Sequence, residues 1–315
     1  MSIKNKLILL SLLCLGLLAF FLLFDLPTNW TYAFEKRSIK IAAMIMVACC
    51  VAYSSVVFQT LTANRILTPS IMGFESVYVL IQTVIVFLYG DKTFTAVNDK
   101  ENFFLSILMM LGFALLLFRF LFRKEKSNLY LLLLIGLVLG TLFRTLSSFL
   151  QLIIDPNEFL MLQGSMFASF NSINLELFWY ALAIMLLCFV LGFRGFRNLD
   201  LVILGRENAI SLGLDYFKTV RLYLILISVL VAVSTALVGP ITFFGILVTN
   251  LTYELFKTYK HAILIPACCL VSCLALFCGQ LVVEHVFNFN STISVIINFV
   301  GGLYFMVLLL KVKKV

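Results

Sequence analysis

The chain of 315 residues is 63% hydrophobic and only 12% charged, whereas soluble domains are about half apolar and about a quarter charged. That balance excludes an ordinary soluble enzyme or binding module and places the chain in a bilayer. Its formal net charge of +8 is explained by lysine and arginine grouped on one side of the membrane, so nucleic-acid binding is not needed to account for it.

In lipid every backbone polar group must find a partner within the protein, which leaves helices or a closed barrel. The apolar runs are long and unbroken, without a barrel's short alternation. The expectation is an all-α, polytopic membrane protein forming one domain over residues 1–315. A span needs about 20 apolar residues. Ten candidates meet that need: 7–26, 39–61, 70–89, 103–122, 129–154, 176–193, 222–238, 240–256, 262–283 and 293–310. At Val238-Gly239-Pro240 the seventh and eighth could instead be one kinked span.

The first run is longer than a signal core and has no small-residue cleavage site, so it is read as a span. The segment Asp25 to Lys36 reads as an external loop whose Pro27, Trp30 and Tyr32 suit an interfacial belt. The second span carries Ala42, Ala43, Ala48, Ala52, Ser54 and Ser55, the small residues that close helix contact in lipid requires. Asn, Pro and Gly between Thr62 and Gly73 predict a turn into the third span. It is an ordinary loop or, since irregular backbone at membrane depth is tolerated where it lines protein or water, part of a path. Residues 90–102 form a polar external loop and 123–128 a short basic turn.

The fifth span holds Thr141, Arg144, Thr145, Ser147, Ser148 and Gln151. A charge within a span is costly and marks a functional position by default. The bland alternative places Arg144 near the cytoplasmic third, snorkelling to the interface. Residues 155–174, rich in Asn, Ser, Gln and Gly, suit an external re-entrant or capping element.

The longest interruption of the apolar pattern is 194–221, which carries Arg194, Arg197, Arg206, Lys218 and Arg221. Within it, Asn208-Ala209-Ile210-Ser211-Leu212-Gly213 reads as a short helix ended by a glycine. A compact basic segment between two spans suits a cytoplasmic docking surface. Glu284-His285 has no third ligand nearby and reads as surface. All eight cysteines lie in apolar runs and none forms a C-x-x-C pair, so no metal site is expected.

With the N-terminus inside, seventeen lysines and arginines fall in cytoplasmic segments. Five (Lys36, Arg37, Lys40, Lys92 and Lys100) fall outside, and Arg144 lies within a span. This asymmetry orients ten spans with both termini cytoplasmic.

Leu204-Gly205-Arg206-Glu207-Asn208-Ala209-Ile210-Ser211-Leu212-Gly213-Leu214 resembles the L-G-E-x-A-x-S-L-G element of FecCD-type permeases, the membrane subunits of ABC importers for iron–siderophore, haem and cobalamin. Four further stretches match that family in order and spacing: Arg37-Ser38-Ile39-Lys40, Gln59 with Asn64 to Gly73, Gly239 to Gly245, and Leu264-Ile265-Pro266. The resemblance implies a type II ABC importer permease fold that dimerises around a central path in the bacterial cytoplasmic membrane. It implies that the loop 194–221 seats in a cytoplasmic ATPase dimer through Gly205, Arg206, Glu207, Asn208, Ala209, Ser211, Leu212 and Gly213. The chain has no G-x-x-x-x-G-K-[ST] loop, so Mg-ATP is expected at that partner, with no cofactor on this chain and no catalytic or metal residue.

By the same resemblance, Arg37 and Lys40 match basic residues that meet an external substrate-binding protein, and Gln59, Asn64 and Ile66 belong to a cytoplasmic gate. Arg144, Ser147 and Ser148 are placed on the path or at a second gate element. Three departures stand out: Glu284 where the family often has arginine, Arg65 for a proline, and Val248-Thr249-Asn250-Leu251-Thr252-Tyr253 for V-P-H-x-x-R. Altered docking on one side suggests a heterodimer with a second, homologous permease. Together with Leu162 to Phe170, the pattern is most similar to the second permease of catecholate (petrobactin- or anguibactin-like) siderophore importers. Ferric siderophore is the expected cargo, with haem or cobalamin on the same fold as the alternative. An ion-driven secondary transporter would need paired intramembrane carboxylates, for which Glu75 and Glu254 are the candidates.

Overall fold

The computed structural model describes residues 2–24, 30–90, 98–122, 129–171 and 173–312. Among them all regular structure is helical: α1 Ile3–Leu23, α2 Trp30–Thr62, a 3₁₀ turn at Pro69–Met72, α3 Phe74–Tyr89 and α4 Asp99–Phe122. There follow α5 Leu129–Gln151, α6 Pro156–Met166, α7 Leu175–Phe193, α8 Phe196–Val202 and α9 Arg206–Ser211. The chain finishes with α10 Tyr216–Val238, α11 Phe244–Leu255, α12 His261–His285 and α13 Ile293–Val312.

Seven helices among the described residues are long and apolar enough to cross a membrane: α1, α2, α4, α5, α7, α10 and α12. The helix α3 and the part of α13 over Ile293–Val307 are apolar but shorter. The 12 residues of α11 fall well below the about 20 that a span requires. The protein is therefore a multi-pass helical membrane protein, with seven full-length candidate spans among the described residues where the apolar runs predict ten. At Val238-Gly239-Pro240 the chain breaks into two helices. Gly239 sits at φ +99°, Pro240 cannot extend a helix from the preceding turn, and α11 starts only at Phe244. The second helix also begins earlier than expected, at Trp30, so 30–36 is helix rather than loop; residues 25–29, 91–97 and 123–128 lie outside the described residues.

The core is built on α2, which packs against α12, α10, α11, α7 and α8. Ala43, Ala48, Ala52, Ser54 and Ser55 are all buried, as their small size predicts. Lipid tails give no hydrophobic drive between helices, so close packing and hydrogen bonds must hold them. At Gly192 of α7 the Tyr53 hydroxyl occupies the space a Cβ would take. A second close contact joins α5 to the turn before α3. Gly136 and Gly140 form a G-x-x-x-G pair on α5, and a Cβ on Gly140 would lie 2.8 Å from the Gly73 Cα. Gly73 itself is left-handed at φ +90°, where a side chain would be strained.

Residues 155–174 contain the eleven-residue helix α6, started by Asp155, whose side chain accepts from the Asn157 N–H. It packs on α3, where Leu162 joins Val86 and Ile154 in a small separate apolar cluster. The element caps the bundle and does not re-enter it as a full turn of span.

Candidate coupling and gate site

The interruption at 194–221 folds into two short helices, α8 and α9, joined at Gly205. A six-residue helix cannot stand alone in water, and three local devices hold α9. Ala209 has no exposed surface and anchors it to the bundle. The Leu214 N–H donates to the Ala209 carbonyl (3.1 Å) and the Gly213 N–H to the Ile210 carbonyl (2.9 Å), the paired bonds of a Schellman end. Gly213 supplies the left-handed residue this end requires, at φ +85°. Asp215 then starts α10 by accepting from the Lys218 N–H (3.2 Å) and pairing with its ammonium (2.7 Å). Those two contacts hold the exposed Asp215 carboxyl below its ordinary range.

The segment presents an exposed surface. Gly205, Arg206, Glu207, Asn208, Ser211, Leu212 and Gly213 are all exposed, while Asn208 and Ser211 spend their side-chain donors on the Leu204 and Glu207 carbonyls. The apolar side chains of Ile203, Leu204, Ile210 and Leu212 stand out beside the basic ones, Leu212 at 59% exposure. Arg206 stacks over the Phe217 ring (4.9 Å), which fixes its direction. Of the eight residues expected to dock, seven face outward and Ala209 faces in.

The turn after α2 is pinned from beneath. The Ala63 and Asn64 N–H groups donate to the Thr60 and Gln59 carbonyls, again the Schellman pattern, but Ala63 stands at φ +49° where glycine is favoured. The Arg65 carbonyl accepts from Gln59 Nε2 (2.7 Å) and Asn250 Nδ2 (3.2 Å). Gln59 Nε2 also donates to Thr249 Oγ1 (2.9 Å), while the buried Gln59 Oε1 has no partner. Asn64 Oδ1 accepts the Ile66 N–H (2.9 Å), an Asx turn. Arg65 lies over the Tyr253 ring (4.8 Å). Asn64, Arg65, Ile66, Asn250, Tyr253 and Glu254 are among the residues that line a cleft of about 400 Å³, and Gln59 and Thr249 hold the turn beside it. Gln59, Asn64 and Ile66 are thus gathered in one place. The departures from the V-P-H-x-x-R pattern fall here too, since Thr249 and Asn250 are the partners of Gln59 and Arg65.

Arg144, Ser147 and Ser148 are not part of this cluster. They lie on α5, whose contacts are with α3, α4 and the Pro69–Met72 turn. Ser147 is buried and donates to the Phe143 carbonyl (2.9 Å). Thr141, Arg144, Thr145 and Ser148 are exposed together with Leu142 and Leu146, a partly polar face on the outside of the single chain. Arg144 stands about two turns from the Gln151 end of α5, far from the Leu129 end where the cytoplasmic third was expected.

The docking candidates are already engaged within the chain. Arg37 Nη1 donates to the Phe24 carbonyl (2.6 Å) and the Phe21 carbonyl (3.3 Å), capping the last turn of α1. Lys40 forms an ion pair with Glu284, whose Oε1 also accepts from Gln280 Nε2 (2.9 Å). The rings of Phe21 and Phe289 flank the ammonium at 5.7 and 5.5 Å. The charge reversal at Glu284 therefore neutralises Lys40 of the same chain. Glu75 is buried and accepts from the Thr242 hydroxyl (2.6 Å), whereas Glu254 is exposed at the end of α11. The two carboxylates do not pair.

Sequence reading missed several contributors. Thr249 and Asn250 stood out only as departures from a motif. Gly136 and Gly140 were legible as G-x-x-x-G in an apolar run. His261, one of two histidines, has no exposed surface and joins Asp200 to Thr60; a lone histidine at the start of a span was the available signal.

A helical bundle carrying a rigid basic segment and a pinned turn defines a transport permease, and the chain belongs to the FecCD transport family, whose model matches residues 7–311. It is 51% identical over 305 residues to the petrobactin import system permease protein YclO of Bacillus subtilis (strain 168), covering 97% of this chain and 96% of that one. It is 34% identical over 311 residues to the petrobactin import system permease protein FatC of Bacillus anthracis, covering 96% and 88%. In structure it is similar to an inward-facing metal-chelate type ABC transporter, with TM-score 0.86 at 26% identity over 98% of this chain and 100% of that one.

Proposed function

We propose that the chain is one permease subunit of an ABC importer that carries a ferric siderophore of the catecholate class across the bacterial cytoplasmic membrane. The observation that carries this reading is the pinned, outward-facing segment Gly205–Gly213, with basic and apolar side chains side by side and left uncovered by the described residues. The petrobactin permeases it resembles over nearly its whole length supply the cargo class. In this account a cytoplasmic ATPase dimer seats on the segment, hydrolyses Mg-ATP and drives alternating access in a single permease domain. The chain crosses the bilayer ten times, with the short helices α3 and α11 and the twenty-residue α13 completing the count and both termini cytoplasmic.

A second, homologous permease completes the path. Arg144 exposes a guanidinium that lipid cannot satisfy, on a face where the Thr141 and Thr145 hydroxyls already donate to the Leu137 and Thr141 carbonyls; that charge supports burial of this α5 face against the partner. There Arg144 offsets the charge of an anionic ferric catecholate, with Ser147 and Ser148 at its side. Gln59, Asn64 and Ile66 form the cytoplasmic gate. An external substrate-binding protein docks near Arg37, Lys40 and Glu284. Because Lys40 is neutralised by Glu284, the second permease supplies most of the attraction for an acidic docking surface, as a heterodimer would.

Uptake of radio-iron as a ferric catecholate, in cells with and without this chain, tests the cargo. Uptake that depends on the chain and is competed by iron-free cargo analogues of the catecholate class supports the reading. Competition by haem or cobalamin alone would replace the cargo.

A further inference from the structure

The coupling segment and the gate turn are connected through the last turn of α2. Asp200 of α8 accepts the His261 N–H with Oδ1 (2.9 Å), and the same oxygen lies 2.6 Å from His261 Nδ1. A carboxylate only accepts, so Nδ1 carries the proton. The other ring nitrogen, Nε2, lies 2.8 Å from Thr60 Oγ1, and the ring is fully enclosed. The neighbouring residue Gln59 holds the Arg65 carbonyl and Thr249, and Asn250 holds that carbonyl from the other side.

We propose that Asp200, His261, Thr60 and Gln59 form one linkage in series, which passes displacement of the coupling segment to the Arg65 carbonyl of the gate turn, where Asn250 of α11 is a parallel tether. The proposal rests on the reading that the segment seats an ATPase and that the turn at 63–68 gates the path. Each joint is a buried or half-buried polar contact with little freedom to slip. A bundle held together by packing alone would dissipate a small shift, whereas a side-chain chain with two discrete arrangements transmits it. Two observations mark the gate end as able to switch. The buried Gln59 Oε1 has no hydrogen-bond partner among the described residues, so it is available to a shifted turn, and Ala63 stands in the left-handed region at φ +49°, where relaxation is favourable. His261, Asp200 and Thr60 act here as positioning residues.

The test uses the full complex in vesicles and reads iron uptake per ATP hydrolysed, beside complex yield and basal ATPase rate. Thr60→Val keeps side-chain volume and removes the hydroxyl. Asp200→Asn weakens the first joint at a position 38% exposed, where folding tolerates it, and Asn250→Ala removes the parallel tether on the Arg65 carbonyl. Each is expected to lower uptake per ATP by about tenfold, the scale of coupling between sites, with yield and basal ATPase little changed. Thr60→Ser is expected to restore coupling. Since these joints act in series, Thr60→Val/Asp200→Asn falls no lower than the worse single variant, and the cycle is strongly non-additive. Multiplying single effects would overturn the linkage, as would uptake, ATPase and yield falling in proportion. A wild-type chain that recovers no ATPase would instead overturn the reading beneath it, and the linkage with it.

Discussion

The Lys40–Glu284 pair gives the sharpest test of how α2 is held to the Glu284 end of α12. Its side chains are 13% and 14% exposed, Gln280 adds a hydrogen bond to the carboxylate, and two phenyl rings flank the ammonium. Removing one partner strands the other charge where water reaches it poorly. A fully buried pair broken in this way costs about 3–5 kcal/mol. Residual exposure and the ring contacts reduce that, so Glu284→Gln and Lys40→Met are each expected to cost about 2 kcal/mol. Replacing both leaves no charge, and an apolar–amide pair of similar volume is often near neutral. The double variant should therefore lose about 1 kcal/mol, less than either single one, so the coupling is about 3 kcal/mol. Reversible unfolding of the purified chain in mixed micelles, or thermal inactivation of the complex, measures the four corners of the cycle. Single losses that simply add, with no recovery in the double variant, would refute the argument that α2 and α12 are tied by this charge pair.

Further outcomes follow from particular contacts. Gly140→Leu is expected to abolish folding, and Gly140→Ala to cost about 1–3 kcal/mol, because the helix α5 must back away from Gly73; the yield of monodisperse protein in detergent reports both. Ala63→Gly should raise the unfolding midpoint by relieving about 1 kcal/mol of left-handed strain at the end of α2, and an unchanged or lower midpoint would contradict the strain. Arg206→Ala should leave stability within about 1 kcal/mol, since one exposed cation–π contact is lost, while recovery of the partner ATPase falls strongly. Asp215 has its folded pKa held below the value of 3.8 for a free side chain, so its contribution is present above that pH and is lost as pH falls through the folded value. In acid titration Asp215→Asn should be less stable than wild type at neutral pH, and the difference should vanish at the acid end.

The membrane class and the special standing of 194–221 were legible because both rest on composition and local signals. Gly213 after a short polar-faced helix announces its own end, and the small residues of α2 announce burial. The count of spans was less legible. Hydropathy registers Phe244–Leu255 as apolar without telling that Gly239 and Pro240 remove the residues that would make it full length. The cluster at the turn after α2 was half legible: Gln59, Asn64 and Ile66 were found by motif, but Thr249 and Asn250, the partners of Gln59 and of the Arg65 carbonyl, lie about 190 residues away, a separation that no local pattern bridges. The same holds for Lys40 and Glu284, each visible as a charge near a span end, whose pairing depends on how α2 and α12 pack. His261 and Asp200 carry no motif at all, and their meeting is a product of tertiary structure.

Purification of the tagged chain from native membranes tests the central claim most directly, through what accompanies it. The account predicts an ABC ATPase together with a second, homologous permease, and loss of the ATPase alone when Arg206 and Glu207 are replaced. Recovery of neither partner in mild detergent, with a control importer complex intact, would contradict it.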